Sequence, residues 1–212
     1  MNDTPHQHAH YYDRSPATPR DEHEFTLATP RGPLTMRTAG GVFSSRDLDK
    51  GTAVLLSTLA DHPELWPATD SQVCDLGCGA GPIALWLATV TPDCRVDAVD
   101  VNERAVAICA ANAARLGLSN IQATTPEAVP PERRYDLIVS NPPIRIGKSA
   151  LHDLLSTWLS RLTDTGSAIL VVSKNLGSDS LAQWMMTNSY EVTKLSSKKG
   201  FRVLRVARQH PC

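Results

Sequence analysis

The stretch Gln72–Gly81, with the sequence QVCDLGCGAG, restricts the possible folds of this chain more than any other. Its first half is a short apolar run that predicts a buried strand. Gly77, Gly79 and Gly81 then predict a turn with positive φ angles, where a ligand can lie directly on the backbone because glycine has no β-carbon. Pro82 follows in a position typical of the first turn of a helix. A strand, a glycine turn and a helix N-terminus together predict a nucleotide-type ligand site.

The spacing of these glycines argues against a dinucleotide. The dinucleotide fingerprint is G-x-G-x-x-G, and here the third glycine comes one residue too early and Pro82 holds its place. Asp75, at the end of the strand, would repel a phosphate but could accept a cationic amino group. Asp100 ends the next apolar run about 20 residues further on, where an acid accepts hydrogen bonds from ribose hydroxyls. We therefore expect a ligand with a ribose and an ammonium group but no phosphate, and S-adenosylmethionine meets this description.

Length and composition bound the class of protein. At 212 residues the chain is long enough for one sizeable hydrophobic core. No apolar run approaches the roughly 18 residues of a membrane span. The polar segment 1–20 contains no apolar core that could serve as a secretory signal. These features predict a cytoplasmic protein without a membrane partner.

Two groups of residues resemble parts of metal sites, but neither forms a complete set of ligands. Cys74 and Cys78 open the spacing of an iron–sulfur motif, but Gly81 occupies the third ligand position. The alternating histidines of the segment 6–10 have no cysteine or clustered carboxylate to complete a coordination shell. We therefore expect no metal. Four cysteines are expected in the core as small reduced hydrophobes: Cys74, Cys78, Cys94 and Cys109.

The composition divides the chain into an arm and a domain. Residues 1–24 are poor in aliphatic side chains and predict a flexible N-terminal arm, and residues 25–212 are expected to form one domain. The domain opens with two short alternating runs, Phe25–Thr29 and Leu34–Thr38, which predict a hairpin. The glycine-rich linker that follows carries Phe43, which could cover a bound ligand.

Alternating strands and helices predict an α/β fold for the rest of the chain. The strands are expected at Gln72–Leu76, Arg95–Asp100, Asn120–Thr124, Tyr135–Ser140 and Ala168–Val172. Five helices are expected. The first runs from Asp49 to about Leu59, the second begins at Pro82, the third follows the N-cap residue Asn102, and the last two span Lys148–Leu162 and Asp179–Thr187. Strands that feed helices imply a doubly wound, mostly parallel sheet. The final hairpin, Tyr190–Leu195 with Phe201–Ala207, predicts an antiparallel C-terminal edge.

The second chemical signal is the segment Asn141-Pro142-Pro143-Ile144, directly after the strand YDLIVS. In a doubly wound sheet the carboxyl ends of the strands line the ligand crevice, so this segment should lie beside the glycine turn. The prolines hold Asn141 in an extended conformation. A proline-terminated strand with asparagine in a turn is the purely structural interpretation. The position one crossover away from the glycine turn favours a functional role.

Together these motifs resemble a known family. Three of them resemble class I methyltransferases that modify exocyclic or amide nitrogens: DLGCGAG, the acid in AVDVNERAV, and SNPPI. Four further segments are similar to the small-methyltransferase-domain group, which includes the 16S ribosomal RNA guanine-N2 methyltransferases. They are GVFSSRDLDKGT, SNPPIRIGK, VVSKNLG and KKGFRVLR. The resemblance extends from about residue 25 onward and implies a Rossmann-like methyltransferase sheet. Longer relatives carry a degenerate second copy of the domain before the catalytic one.

The resemblance also implies roles for individual residues. The cofactor would be bound by Phe43, Asp75, Gly77, Cys78, Gly79, Gly81, Asp100, Val101, Asn102, Glu127 and Asn141. Asn141 and Pro142 would be catalytic, because their oxygens would hold the amine that is methylated. The substrate would contact Asn141, Pro142, Pro143, Ile144, Arg145 and Lys148. Family members often have an aromatic residue at the position of Ile144, which can pack on a base but cannot stack, and Pro126 before Glu127 also departs from the family pattern.

The implied reaction is methyl transfer from S-adenosylmethionine to the N2 of a guanine in ribosomal RNA, with the RNA or the small ribosomal subunit as partner. Six basic residues of the C-terminal hairpin suit a phosphate backbone: Lys194, Lys198, Lys199, Arg202, Arg205 and Arg208. An edge strand guarded by lysines would show the same pattern. Two alternatives stay open, namely an N-methyltransferase for a protein amide or small-molecule amine, and a non-catalytic cofactor-binding RNA module.

Overall fold

The computed structural model describes residues 22–39 and 47–209, and the predicted N-terminal arm lies almost entirely outside this part of the chain. The predicted hairpin is present as two antiparallel strands, β1 (Glu22–Leu27) and β2 (Leu34–Ala39). Leu27 and Met36 are buried in the main hydrophobic core. The hairpin therefore packs on the domain.

A seven-stranded sheet forms the centre of the domain. Its strands are β3 (Gln72–Leu76), β4 (Arg95–Val99), β5 (Ile121–Thr124), β6 (Tyr135–Ser140), β7 (Leu162–Ser173), β8 (Tyr190–Lys198) and β9 (Phe201–Arg208). They lie in the order β5-β4-β3-β6-β7-β9-β8, with the first five parallel and β9 antiparallel to both of its neighbours. The predicted doubly wound sheet with an antiparallel C-terminal edge is confirmed.

Helices cover both faces of this sheet. They are α1 (Lys50–Asp61), α2 (Pro82–Val90), α3 (Glu103–Arg115), α4 (Lys148–Leu159) and α5 (Ser178–Thr187). The first three pack in one apolar core with the hairpin, and α4 and α5 pack in a second core on the opposite face. Because the first five strands are parallel, their carboxyl ends lie at the same side of the sheet. Ligands bind at this side in such folds.

Several predicted boundaries are wrong: the strand expected at Phe25–Thr29 spans Glu22–Leu27, and the strand expected at Ala168–Val172 spans Leu162–Ser173. The helix expected to end at Leu162 ends at Leu159, and Leu162 instead begins β7 and pairs with Tyr135 of β6. Leu162 is buried and continues the helical spacing of apolar residues, so periodicity does not distinguish it from another helical turn. The tertiary pairing with β6 decides its conformation.

The predicted core cysteines are confirmed, since Cys74, Cys78, Cys94 and Cys109 are all free thiols and buried. Within residues 22–39 and 47–209, no helix combines the length and the apolar character needed to cross a membrane.

Candidate active site

The ends of β3 and β6 lie side by side at the ligand-binding edge of the sheet. Leu76 and Ser140 are register partners, and Ser140 Oγ donates a 2.6 Å hydrogen bond to the carbonyl oxygen of Leu76. The glycine turn leaves β3 here and Asn141 leaves β6. They form a cleft lined by Phe25, Leu48, Asp49, Thr52, Gly77, Cys78, Gly79, Ala80, Pro82, Ile83 and Asn141. The structure thus brings Asn141 to the glycine turn, as the sequence predicted.

The glycine turn has the expected left-handed backbone, with φ angles of +77° at Gly77, +55° at Gly79 and +93° at Gly81. A β-carbon at Gly77 would meet no atom within 4 Å, whereas one at Gly81 would lie 2.5 Å from Cys109 Sγ. Gly77 therefore leaves open space on the cleft side. Gly81 is required for the close packing of the turn on α3.

Asp75 is fully buried and does not line the cleft. Its Oδ2 accepts a hydrogen bond of 2.8 Å from the backbone N–H of Ala84, in the first turn of α2. Gly81, the N-cap residue of α2, has no side chain that could do this. Burial raises the pKa of Asp75 to about 8. The second oxygen, Oδ1, has no hydrogen-bond partner within the described part of the chain.

Asp100 shapes the turn through both of its carboxylate oxygens. Oδ2 accepts from the backbone N–H of Gly79 and Oδ1 from that of Asn102, each at 2.9 Å. Each carboxylate oxygen has a second lone pair that a ligand hydroxyl can use.

The neighbouring Val101 is 44% exposed, an unusual position for a large apolar side chain in this protein. Asn102 caps α3 as predicted, since its Oδ1 accepts from the N–H of Arg104 at 3.0 Å.

The side-chain amide of Asn141 is held from one end. Nδ2 donates to Asp49 Oδ2 at 2.7 Å and to Thr52 Oγ1 at 3.0 Å. The two partners belong to the N-cap and first turn of α1. Because the amide nitrogen is engaged in this way, the amide oxygen is the end that is left for a bound molecule.

The two prolines after Asn141 form a tight turn. Pro143 has φ −75° and ψ 74°, the angles of an inverse γ-turn, and the carbonyl oxygen of Pro142 accepts a 2.8 Å hydrogen bond from the N–H of Ile144. One lone pair of that oxygen is therefore in use and one remains. Ile144 is half-buried, and Lys148 is exposed at the start of α4.

Some predicted site residues lie elsewhere or outside the described residues. Phe43 falls in the segment 40–46, which is not described, and nothing is described of the Arg145 side chain. Glu127 is exposed in a short turn after β5. Seven cleft residues had no predicted role in the site: Phe25, Leu48, Asp49, Thr52, Ala80, Pro82 and Ile83. Asp49 had been recognised only as the start of a helix, because contacts between α1 and the Asn141 segment leave no local signal.

The chemistry available in the cleft is binding and orientation. A hydrogen bond with Cys109 and burial raise the pKa of the Cys78 thiol, so Cys78 is a poor nucleophile at neutral pH. Among the described residues, no group of three or more histidine, cysteine or acidic side chains could hold a metal ion. The acceptors that the segment after β6 offers are the amide oxygen of Asn141, which lines the cleft, and the second lone pair of the Pro142 carbonyl oxygen.

Comparison with known proteins identifies the family. Residues 33–205 match the family model described as the methyltransferase small domain. The chain belongs to the methyltransferase small domain family. This confirms the family that the sequence motifs resembled, and a methyltransferase of this kind uses the predicted cofactor, S-adenosylmethionine.

Two relatives show how far the sequence similarity extends. The chain is 29% identical over 199 residues to the uncharacterized protein YbxB of Bacillus subtilis, covering 92% of this chain and 96% of that protein. It is 31% identical over 169 residues to ribosomal RNA small subunit methyltransferase C of Shewanella loihica, covering 77% of this chain and 47% of the relative. The chain thus spans about half the length of this named methyltransferase.

Solved structures show the same fold. A 16S rRNA N2 methyltransferase from T. thermophilus (RsmC), in complex with AdoMet and guanosine, superimposes with a TM-score of 0.73 at 24% identity, covering 92% of this chain and 52% of the other. A ribosomal protein L11 methylase from Lactobacillus delbrueckii gives a TM-score of 0.62 at 23% identity, covering 76% and 80%. Both likenesses concern the fold.

Proposed function

We propose that this protein transfers a methyl group from S-adenosylmethionine to the exocyclic N2 of a guanine in ribosomal RNA. The observation that carries the proposal is that Asn141, with its amide nitrogen already held by Asp49 and Thr52, lines the same cleft as the glycine turn. The names of two relatives, a ribosomal RNA small subunit methyltransferase C and an N2 methyltransferase of 16S rRNA, support the choice of substrate. In this proposal residues 25–212 form the methyltransferase domain and the small ribosomal subunit or its RNA is the partner.

The residues of the turn suit a nucleoside ligand that lacks phosphate. Gly77 leaves open space where a side chain would otherwise lie, so a ligand can approach the backbone. The carboxylate of Asp100 has lone pairs available for the ribose hydroxyls. The exposed side chain of Val101 offers an apolar surface beside it for an adenine. When bound, S-adenosylmethionine supplies a methyl group activated by a positively charged sulfur.

The protein's main task is to orient the amine. The lone pair of a guanine amino group is delocalised into the ring, so the amine is a weak nucleophile. Asn141 Oδ1 and the remaining lone pair of the Pro142 carbonyl can each accept one N–H and turn the nitrogen lone pair toward the methyl donor. A strong base is unnecessary, because the nitrogen becomes acidic once it carries the methyl group.

Three exposed lysines lie at the same side of the sheet as the carboxyl ends of β3 and β6, which we call the catalytic edge. They suit an RNA backbone. Lys148 begins α4, Lys174 follows β7, and Lys199 lies in the turn between β8 and β9, where the N–H of Lys174 donates to the carbonyl of Gly200 at 2.9 Å. None of the three forms an ion pair with another described residue. They are therefore available for phosphate groups.

Other cations of the C-terminal hairpin are already engaged within the protein. Lys198 pairs with Asp61 at 3.2 Å, Arg202 pairs with Asp179, and Arg208 donates to the carbonyl of Ser160 at 2.7 Å. The electrostatic part of the proposal therefore rests on the lysines of the catalytic edge rather than on the whole hairpin. The target guanine must be unpaired or flipped out to reach Asn141.

Transfer of isotope-labelled methyl groups tests the proposal. Purified protein and labelled S-adenosylmethionine are incubated with one substrate in each reaction. The three substrates are small ribosomal subunits, free ribosomal RNA and ribosomal protein, all from cells that lack this gene. Nucleoside mass spectrometry should find the label in N2-methylguanosine. Label only in protein would favour the alternative amide methyltransferase, and label in none of the three substrates would favour a non-catalytic cofactor-binding module.

A further inference from the structure

We propose that Asp49 is a positioning residue, which fixes the orientation of the Asn141 side-chain amide and thereby directs its oxygen toward the amine that is methylated. The inference rests on the proposed function for the identity of that amine. Its structural basis is the 2.7 Å hydrogen bond from Asn141 Nδ2 to Asp49 Oδ2, between residues 92 positions apart in the sequence.

The orientation follows from the chemistry of the Asp49 carboxylate. An ionised carboxylate has no proton to donate, so only the NH₂ end of an amide can face it. If the amide of Asn141 were reversed, its oxygen would lie against Asp49 Oδ2 and the hydrogen bond to Asp49 would be lost, whereas the hydroxyl of Thr52 could donate to the reversed amide oxygen. A hydrogen bond to a charged acceptor is roughly twice as strong as one between neutral groups. Asp49 thus makes the productive orientation of Asn141 the stable one.

The same hydrogen bond also prepares the amide oxygen for its role. Electron density is drawn toward Oδ1 when the NH₂ group of an amide donates to an anion, because hydrogen bonds in a chain polarise one another. Oδ1 then becomes a better acceptor for an amine that develops positive charge as it is methylated. Interactions that strengthen in the transition state are the ones that raise kcat.

The fold holds the Asp49 carboxylate in place. Asp49 is the N-cap residue of α1, and its Oδ2 also accepts from the backbone N–H of Thr52 at 3.0 Å. A β-carbon at Gly51 would lie 3.0 Å from Asp49 Oδ2 and 3.0 Å from the ring of Phe201 on β9. A larger residue at position 51 would therefore crowd the carboxylate, so the glycine leaves Asp49 the room that it occupies.

Capping and positioning can be separated by substitution. In Asp49→Ser the serine can still cap α1, since serine is among the best N-cap residues, but its shorter side chain no longer reaches Asn141. Thr52→Val removes the second acceptor while the shape is kept, and Thr52→Ser keeps the hydroxyl, so the two Thr52 variants are compared with each other. Each of these variants is compared with the wild type in thermal stability, S-adenosylmethionine affinity and methyl-transfer kcat.

We expect Asp49→Ser to lower kcat by about tenfold or more, because misplacement of a reacting group is costly, with cofactor Kd and Tm close to the wild type. Thr52→Val should lower kcat less than Asp49→Ser does, and Thr52→Ser should lower it less than Thr52→Val. A purely structural role for Asp49 would lower Tm and weaken cofactor binding together with kcat, and that result would overturn the inference.

A nuclear magnetic resonance measurement tests the contact without any reaction. The side-chain NH₂ signals of Asn141, assigned by their absence in Asn141→Ala, should shift and exchange faster with solvent in Asp49→Ser, and by more than in Thr52→Ser. Unchanged Asn141 signals in Asp49→Ser would contradict the inference even if the enzyme is active. Failure of the wild type to methylate any substrate would instead contradict the proposed function.

Discussion

Asp75 and Ala84 are joined by a 2.8 Å hydrogen bond between a buried carboxyl at the end of β3 and a backbone N–H in the first turn of α2. The carboxyl thereby replaces the side-chain cap that Gly81 lacks. The glycine turn between these two residues is closed by this contact and by the 2.9 Å hydrogen bond from Gly79 to Asp100. Two acids that are predicted to bind the ligand therefore build the turn, and Asp75 lies behind it rather than in the cleft.

The stability of the ligand-free protein should depend on pH through Asp75. Burial raises its pKa from 3.8 to about 8, so between these values the folded state binds a proton that the unfolded state does not. The free energy of unfolding should therefore fall as the pH rises from about 4 to about 8. Asp75→Asn keeps an acceptor for Ala84 and cannot titrate, so denaturant unfolding of this variant should lack this component of the pH dependence. An identical pH profile in both proteins would contradict the assignment.

Gly77 and Gly81 should respond differently to alanine. Both have positive φ, which costs an alanine roughly 1–2 kcal/mol. Only at Gly81 would the new β-carbon also collide with Cys109 Sγ, at 2.5 Å. Denaturant unfolding should show the larger loss of stability for Gly81→Ala, with partial recovery when Cys109→Ala is added. Gly77→Ala should have the larger effect on S-adenosylmethionine affinity, because Gly77 lines the cleft. Equal losses of stability and no recovery would argue against this packing.

Asn112 should be needed to dock the N-terminal hairpin. It is buried, its Oδ1 accepts from the N–H of Arg37, and its Nδ2 donates to the carbonyls of Arg37 and Ala80. Asn112→Ala should cost about 2 kcal/mol or more, because the buried backbone groups lose their partners. Hydrogen exchange in β1 and β2 should also become faster. The exposed Asn188 is the control, and a comparable loss in Asn188→Ala would refute this role of Asn112.

The lysines at the catalytic edge should contribute to RNA affinity without reading sequence. Lys174→Gln and Lys199→Gln should each weaken binding of ribosomal RNA and reduce the slope of log K against log salt by about one. Arg95 is exposed at the first residue of β4, at the opposite end of the parallel strands, so Arg95→Gln should leave the slope unchanged. Filter binding over a range of salt concentrations measures these slopes, and equal slopes in all the variants and the wild type would contradict the predicted surface.

The fold could be predicted in detail because its signals are local. Short apolar runs bounded by Gly, Pro and Asn located the strands, and Gln72–Leu76 and Tyr135–Ser140 were predicted with their observed bounds. The error at Leu162 arose because a buried leucine has the same apolar character in a helix and in a strand. There the pairing with β6, a contact distant in sequence, determined the outcome.

The candidate site was only partly predictable, because its contacts are long-range. The glycine turn and Asn141 carry recognisable motifs, and the strand order brings them together. Nothing in the local sequence reveals that Asp49 and Thr52 hold the amide of Asn141 or that Phe25 reaches the cleft. The burial of Asp75 behind the turn likewise becomes visible only when α2 is packed on β3.

The central claim is that Asn141 orients the amine while other residues hold the methyl donor. Calorimetric titration with S-adenosylmethionine and single-turnover methyl transfer to small ribosomal subunits, both on the wild type and on Asn141→Ala, test it most directly. Cofactor affinity should stay within a few-fold while methyl transfer collapses. Equal loss of binding and transfer, or full transfer by Asn141→Ala, would contradict the account.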